Sequence, residues 1–131
     1  MMFEKKLFLD TCALVWLVTG SDEISENTKQ QIENASLVYI SPISGWEISL
    51  KEERGLLHLP LKAEFWFEKA IENHNLTIIP LNMDIFVYAN RLPWYHKDPA
   101  DRFIIASAIK TDAVIVTADT KFHQYGVKII I

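Results

Sequence analysis

The sequence has a single cysteine and no excess of positive charge. Because Cys12 stands alone, an intramolecular disulfide is excluded, and a reducing, cytoplasmic location is expected. Thirteen basic residues against seventeen acidic ones give a formal net charge of -4 and a pI of about 5.5. This balance argues against a broad basic surface as the means of binding nucleic acid.

Long hydrophobic runs and closely spaced zinc ligands are also lacking. The first residues, MMFEKKLFLD, contain two lysines and an apolar run that ends at Asp10, which argues against a cleavable signal or a membrane span. No Cys or His pair has the spacing of a zinc site. No linker or low-complexity tract interrupts the chain, so one domain over residues 1–131 is expected.

Short apolar runs alternate with helical stretches along the whole chain. The predicted strands are KLFLD, SLVYI, LTIIP, AVIVT and VKIII. The predicted helices are TCALVWLV, SENTKQQIENA, SPISGWEISLKEERG, AEFWFEKAIEN, MDIFVYANR, PADRFIIASAIK and the short TKFHQY. This alternation predicts an α/β fold with a mostly parallel sheet that helices cover on both faces.

Two aspartates lie at the ends of predicted strands. Asp10 closes the first strand, which is expected to be central, and Asp119 follows the fourth strand. Ligands of parallel α/β folds gather at these C-terminal strand ends. Taken alone, each aspartate can equally be the cap of the following helix or turn. Thr117, just before Asp119, can orient a carboxylate or simply favour the strand.

Two further acids, Glu47 and Asp101, lie on predicted apolar helix faces. Their neighbours at helical spacing are Ile43, Trp46 and Leu50 for the first and Ile104, Ile105 and Ala108 for the second. A carboxylate on such a face must be paired or metal-bound. The simpler alternatives are a surface ion pair between Glu47 and Lys51, and an acid that stabilises the first turn of a helix in the case of Asp101.

The four acids together predict a metal site. Several carboxylates near one sheet edge cannot all stay ionised without a counter-charge, which a divalent cation supplies. Oxygen ligands favour Mg²⁺ or Mn²⁺ over zinc. Asp98 is excluded from the set, because it precedes Pro99 and is therefore predicted to be the N-cap of the helix that carries Asp101.

Four stretches resemble the motifs of a known family. In order and spacing, LFLDTCALVWL, SPISGWEISLK, HKDPADRFIIASA and VIVTADTKFHQYGV resemble the motifs of PIN-domain ribonucleases of the VapC-like toxin group, and the likeness spans nearly the whole chain. The resemblance implies a three-layer α/β/α sandwich with a central parallel sheet. It also implies that Asp10, Glu47, Asp101 and Asp119 form the acidic metal-site quartet and that Lys51 is the lysine common in one branch of the group.

The same resemblance implies a function and partners. The expected activity is that of a metal-dependent endoribonuclease, which uses Mg²⁺ or Mn²⁺ to hydrolyse RNA phosphodiester bonds and leaves a 5′-phosphate and a 3′-hydroxyl. The expected partners are a cognate antitoxin, encoded beside the toxin of a type II toxin–antitoxin system, and a second copy in a homodimer.

Other residues between and around the acids have two interpretations each. Lys51 or Arg102 can contact the phosphate, and Arg102 can instead pair with a neighbouring acid. Trp94, Tyr95 and His96 can stack on unpaired bases or serve as half-buried anchors of their loop.

Four alternatives to a metal-dependent nuclease stay open at this point. A haloacid-dehalogenase-like phosphatase expects a second Asp two residues after the first, where Cys12 stands, and a receiver domain expects an acidic pair and a third-strand Asp that are not evident. A non-catalytic PIN-fold binding module would have no reason to keep inward-facing acids. Cys12 as a nucleophile lacks an assignable His partner.

Overall fold

Five short parallel strands form one sheet in the computed structural model, which describes residues 5–131. They are β1 (Lys6–Leu9), β2 (Leu37–Ile40), β3 (Leu76–Ile78), β4 (Val114–Val116) and β5 (Ile129–Ile130). The order is β3-β2-β1-β4-β5, so β1 is central as predicted. Leu7 pairs with Val38 of β2 on one side and with Val114 of β4 on the other. The start of the N-terminal run considered above, residues 1–4, lies outside the described residues.

Helices follow or precede each strand, as the alternating pattern predicts. They are α1 (Thr11–Thr19), α2 (Glu26–Asn34), α3 (Pro42–Glu53), α4 (Ala63–His74), α5 (Met83–Arg91) and α6 (Pro99–Thr111), with a 3-10 helix at Thr120–Tyr125. Every predicted strand and helix is present, and the differences are confined to the ends of the elements. Within residues 5–131, no helix has the length and apolar character needed to cross a membrane.

Two apolar cores cover the two faces of the sheet. Leu7 and Leu9 of β1 point into one core, which helices α1 to α4 complete, whereas Phe8 points into the other core with α5, α6 and Phe122. The opposite directions of these neighbours follow from the two-residue period of a strand. The three-layer α/β/α sandwich predicted from the sequence is confirmed.

Helix capping places polar side chains along one edge of the sheet. Asp10, Ser41, Asp98 and Asp119 are the N-caps of α1, α3, α6 and the 3-10 helix, and the prediction that Asp98 caps α6 is confirmed. In a parallel α/β sheet, helix N-termini meet the C-terminal strand ends. The positive ends of several helix dipoles therefore face this edge, where they favour negative charge.

Candidate active site

Asp10 lies at the end of the central strand and is only 7% exposed. Its Oδ1 accepts a hydrogen bond from the Ala13 backbone N–H (2.8 Å), and its carboxylate also accepts one from the Thr117 hydroxyl. Burial raises the pKa of Asp10 above its usual value. The two hydrogen bonds oppose this rise, and the nearby carboxylates of Glu47 and Asp119 add to it. Asp10 is thus a buried acid within reach of other negative charges.

Glu47 is held at the site by the first turn of α1. The Thr11 hydroxyl donates to Glu47 Oε1, and Thr11 Oγ1 lies 2.9 Å from Oγ of the fully buried Ser44. This short chain of hydroxyls fixes one oxygen of the half-buried Glu47 carboxylate. Thr11 was not expected to contribute, because no sequence pattern shows that α1 and α3 meet there.

The apolar face predicted for Glu47 is wrong in part. Trp46 is 60% exposed, and the residues of α3 that are buried are Ser44 and Ile48. Periodicity shows which residues share a face but not which face the rest of the fold covers. Glu47 borders the buried face of α3, and its hydrogen bond with Thr11 explains its position better than an apolar stripe does.

Asp101 and Asp119 meet at a single histidine, His96. The His96 Nε2 atom lies 3.0 Å from Asp101 Oδ2 and 2.8 Å from Asp119 Oδ2. Ligand atoms of these three residues all fall within 4.8 Å of one another, which is close enough to share a metal ion. The face predicted for Asp101 is correct, since Ile104, Ile105 and Ala108 are fully buried beside it.

The charge state of Asp101 reflects its crowded surroundings. Burial raises its pKa to about 7, and the carboxylates of Asp98, Glu47 and Asp10 push in the same direction, while His96 opposes them. The pKa of Asp119 is lowered instead. Its partial burial is outweighed by hydrogen bonds from His96 and the Lys121 backbone N–H and by favourable electrostatic interactions with these two residues. The four predicted acids are therefore electrostatically coupled at one edge of the sheet.

His96 was not predicted from the sequence to contact the acids. It was expected either to stack on bases or to anchor its loop, but it is 9% exposed and its ring contacts two of the predicted ligands. Its position two residues before the N-cap Asp98 was the available signal, because a loop that leads into a helix N-terminus lies at the same sheet edge.

Both interpretations offered for Arg102 are wrong. Arg102 is 2% exposed and forms no ion pair with an acid of the described residues. Its guanidinium donates to the carbonyl oxygens of Ala89, Leu92, Pro93 and His96 and to the Tyr125 hydroxyl. The burial of Arg102 leaves it unavailable to a phosphate, and its role is to fix the loop between α5 and α6.

Trp94 and Tyr95 are exposed but anchored on one side. Trp94 is 61% exposed, and the Arg102 guanidinium carbon lies 3.5 Å from the centre of its ring. Tyr95 is 52% exposed, and its ring packs edge-on against Tyr125 at 5.3 Å. Both residues are more exposed than the half-buried loop anchors that were expected, and each keeps surface that solvent reaches.

Lys51 makes no ion pair with Glu47 within the described part of the chain, so the surface ion pair considered for Glu47 is not formed. Lys51 lies instead beside Cys12. Desolvation raises the pKa of the Cys12 thiol, and the Asp10 carboxylate adds to this rise, while Lys51 opposes it. A raised pKa disfavours the thiolate that nucleophilic catalysis needs. Cys12 is therefore a poor nucleophile.

A parallel sheet with helices on both faces and acidic side chains at its C-terminal edge defines the class of protein: an α/β domain with an acidic cluster. The sequence matches the PIN domain over residues 7–128, so the chain belongs to the PIN domain family. This membership replaces the phosphatase and receiver interpretations.

The chain is similar to characterised and solved relatives. It is 25% identical over 120 residues to ribonuclease VapC22 of Mycobacterium tuberculosis, an alignment that covers 91% of each chain. Its fold matches VapBC2 of Rickettsia felis, solved with a promoter DNA fragment, at a TM-score of 0.69 and 20% identity, covering 95% of this chain and 96% of that one. A DNA-bound VapBC of Salmonella typhimurium matches at 0.68 and 18% identity, with the same coverage. The resemblance to the VapC-like group is thereby confirmed.

Proposed function

We propose that this chain is a metal-dependent endoribonuclease and the toxin of a toxin–antitoxin pair. The observation that carries the proposal is the close approach of Asp101 and Asp119 at one sheet edge, where burial and then the neighbouring carboxylates, among them Glu47 and Asp10, raise the pKa of Asp101 to about 7. Carboxylates alone repel a phosphodiester, so a site of this kind needs a cation to act on one. The similarity to ribonuclease VapC22 supports RNA as the substrate.

The donor set fits a hard divalent cation. The four acids offer only oxygen atoms, which suit Mg²⁺ or Mn²⁺. Burial raises the pKa of Asp10 and Asp101, and the neighbouring carboxylates add to the rise, which supports a site that a cation would stabilise. When bound, Mg²⁺ or Mn²⁺ supplies charge neutralisation at the scissile phosphate and lowers the pKa of a bound water.

The protein orients the acids before any substrate binds. Thr11 fixes an oxygen of Glu47, and Thr117 fixes Asp10 while it also accepts a hydrogen bond from the Asp119 backbone N–H at 3.0 Å. Such fixed hydrogen bonds keep the ligand geometry ready and reduce the cost of reorganisation. The exposed Lys51 remains the candidate for contact with the RNA phosphate backbone.

Partner proteins are proposed from the solved relatives and from the surface. VapBC from two bacteria and FitAcB of Neisseria gonorrhoeae are among the structural neighbours, which supports a cognate antitoxin for this chain. Large apolar side chains are exposed, among them Trp46, Leu56, Phe65 and Met83. Surface of this kind is typical of protein interfaces, so it supports both an antitoxin and a homodimer.

RNA cleavage with and without chelator tests the activity. We expect cleavage in Mg²⁺ or Mn²⁺ and none in EDTA, with recovery when Mn²⁺ is restored. Asp10→Asn should abolish cleavage, whereas the matched control Asp22→Asn, at an exposed position outside the site, should cleave like wild type. Undiminished cleavage in EDTA would refute the metal requirement, and no cleavage under any condition would favour the non-catalytic binding module.

Co-purification tests the partners. The chain is expressed together with the small open reading frame beside it and then alone, and the mass of each sample in solution is measured. We expect a complex in the first case and a homodimer in the second. A monomer without a bound partner in both samples would contradict the two assembly proposals.

A further inference from the structure

His96 contacts two carboxylates through a single ring nitrogen and is hydrogen-bonded to one of them, Asp119. Its Nε2 atom lies 2.8 Å from Asp119 Oδ2 and 3.0 Å from Asp101 Oδ2, so each carboxylate turns one of its oxygens toward the imidazole. Two carboxylates this close repel each other unless a donor or a cation stands between them. The geometry is compatible with two roles for His96: a donor that orients the acids, or a third metal ligand.

The other ring nitrogen distinguishes these roles. The Asp98 backbone N–H donates to His96 Nδ1 at 3.2 Å, so Nδ1 is an acceptor and carries no proton. The neutral ring then carries its proton on Nε2, which donates to Asp119. A metal-ligating Nε2 needs the opposite tautomer, with Nδ1–H donating to an acceptor. Here that N–H would face the N–H of Asp98.

The ring is also held in place by its surroundings. The Tyr125 hydroxyl accepts a hydrogen bond from the His96 backbone N–H at 2.8 Å, and Arg102 donates to the His96 carbonyl oxygen at 3.1 Å. Phe122 packs edge-on against the imidazole at 5.8 Å. With 9% of its surface exposed, His96 has little freedom to rotate and exchange its two nitrogens.

We propose that His96 is a positioning residue of the metal site and not one of its ligands. Its Nε2–H donates to Asp119 and lies beside Asp101 Oδ2, and it thereby sets the relative position of the two carboxylates. The inference rests on the proposed function, because it assigns a role toward the metal that the acids are proposed to hold. Of the three clustered side chains, Asp101 and Asp119 would bind the metal and His96 would act as a hydrogen-bond donor.

Two spectroscopic measurements on the wild-type protein test the assignment directly. In the metal-free protein, nitrogen-15 NMR should show the Nε2–H tautomer for His96. In the Mn²⁺-loaded protein, pulsed electron paramagnetic resonance should lack the nitrogen-14 coupling of a directly bound imidazole. Coupling from a bound imidazole that disappears in His96→Gln would overturn the inference and leave the proposed function intact.

Variants separate a donor from a ligand by Mn²⁺ affinity. His96→Gln keeps an amide N–H at a similar distance from the backbone, so its dissociation constant should stay within about threefold of wild type. His96→Ala should weaken Mn²⁺ binding about 10-fold or more, as loss of an orienting partner does elsewhere. His123→Gln, at an exposed position in the 3-10 helix, is the matched control and should bind like wild type.

The choice of metal adds a readout that misfolding does not mimic. A nitrogen ligand would favour Co²⁺ over Mg²⁺, so its loss would weaken Co²⁺ binding more. For a donor, His96→Ala should weaken both by the same factor, and a selective loss of Co²⁺ would overturn the inference. If His96→Ala fails to fold, the wild-type spectra and His96→Gln decide. Failure of the wild-type protein to bind Mn²⁺ would overturn the proposed function and this inference with it.

Discussion

Replacing Asp101 by asparagine should stabilise the metal-free protein at neutral pH. In the folded chain, burial and the neighbouring carboxylates raise the pKa of Asp101 from 3.8 to about 7. The folded state therefore binds a proton more tightly than the unfolded state, so stability is fully present below pH 3.8 and is lost as the pH rises toward 7. Asparagine is neutral at every pH and keeps an oxygen that can accept from His96.

The size of the effect follows from the pKa. Each pH unit between the unfolded and folded values costs about 1.4 kcal/mol, which gives a loss of about 4 kcal/mol across the whole interval. The side chain of Asp101 is 24% exposed, so screening by solvent makes this figure an upper limit. The advantage of Asp101→Asn over wild type should therefore grow by up to about 1.4 kcal/mol per pH unit between pH 5 and 7.

Urea unfolding in EDTA at pH 5, 6, 7 and 8 measures this difference. Asp112→Asn is the matched control, because Asp112 is an exposed aspartate at the C-terminal end of the same helix, in a left-handed conformation that asparagine tolerates. Its stability difference from wild type should not change with pH. Mn²⁺ should reverse the order by stabilising wild type more than Asp101→Asn.

Two results would refute this reasoning. An Asp101→Asn variant that is less stable than wild type at pH 8 in EDTA would show that the ionised carboxylate is stabilising in the fold. A difference that does not vary between pH 5 and 8 would show that the pKa of Asp101 is not raised. Either result would remove the electrostatic support for a metal site at this edge.

Three further substitutions test neighbouring assignments. Asp98→Ser keeps a capping oxygen and should retain most RNA cleavage, whereas Asp98→Ala should lower the free energy of unfolding by about 1 kcal/mol. If Asp98→Ser is inactive, Asp98 is instead a metal ligand. Glu47→Gln should abolish cleavage without lowering the melting temperature in EDTA, and a marked fall would point to a structural role. Arg102→Lys should lower the free energy of unfolding in urea by about 3 kcal/mol or more, because buried carbonyl oxygens lose their donors. The exposed control Arg91→Lys should lower it by less than about 0.5 kcal/mol. Equal losses would contradict the role given to Arg102.

The fold was predictable because local patterns and the global topology agree. Each short apolar run became a strand, and each helix begins at or near its predicted residue. The ends were less predictable where tertiary pairing decides them. The run LTIIP became the three-residue edge strand β3, and only Ile129–Ile130 of VKIII pairs with β4.

The positions of two of the four acids were predictable from strand ends, but the contacts of these acids were not. Asp10 and Asp119 follow β1 and β4 and so had to lie at the same edge. The contacts of Thr11 with Glu47 and of His96 with Asp119 join segments that are distant in sequence. Arg102 was misjudged because the loop that buries it makes no sequence pattern of its own.

The contacts of Arg102 have a consequence for how the site opens. One guanidinium joins the end of α5, the loop from Leu92 to Asp98 and Tyr125, and it belongs to α6, whose following turns are buried in the core. Local opening of this loop therefore requires breaking hydrogen bonds of a side chain that is fixed by a core helix. In hydrogen exchange, the amides of His96 and Asp98 should be released together with α6 and not as those of an independent surface loop. The part of the site that contains Asp101 and Asp119 should thus resist local unfolding as strongly as the core beneath it.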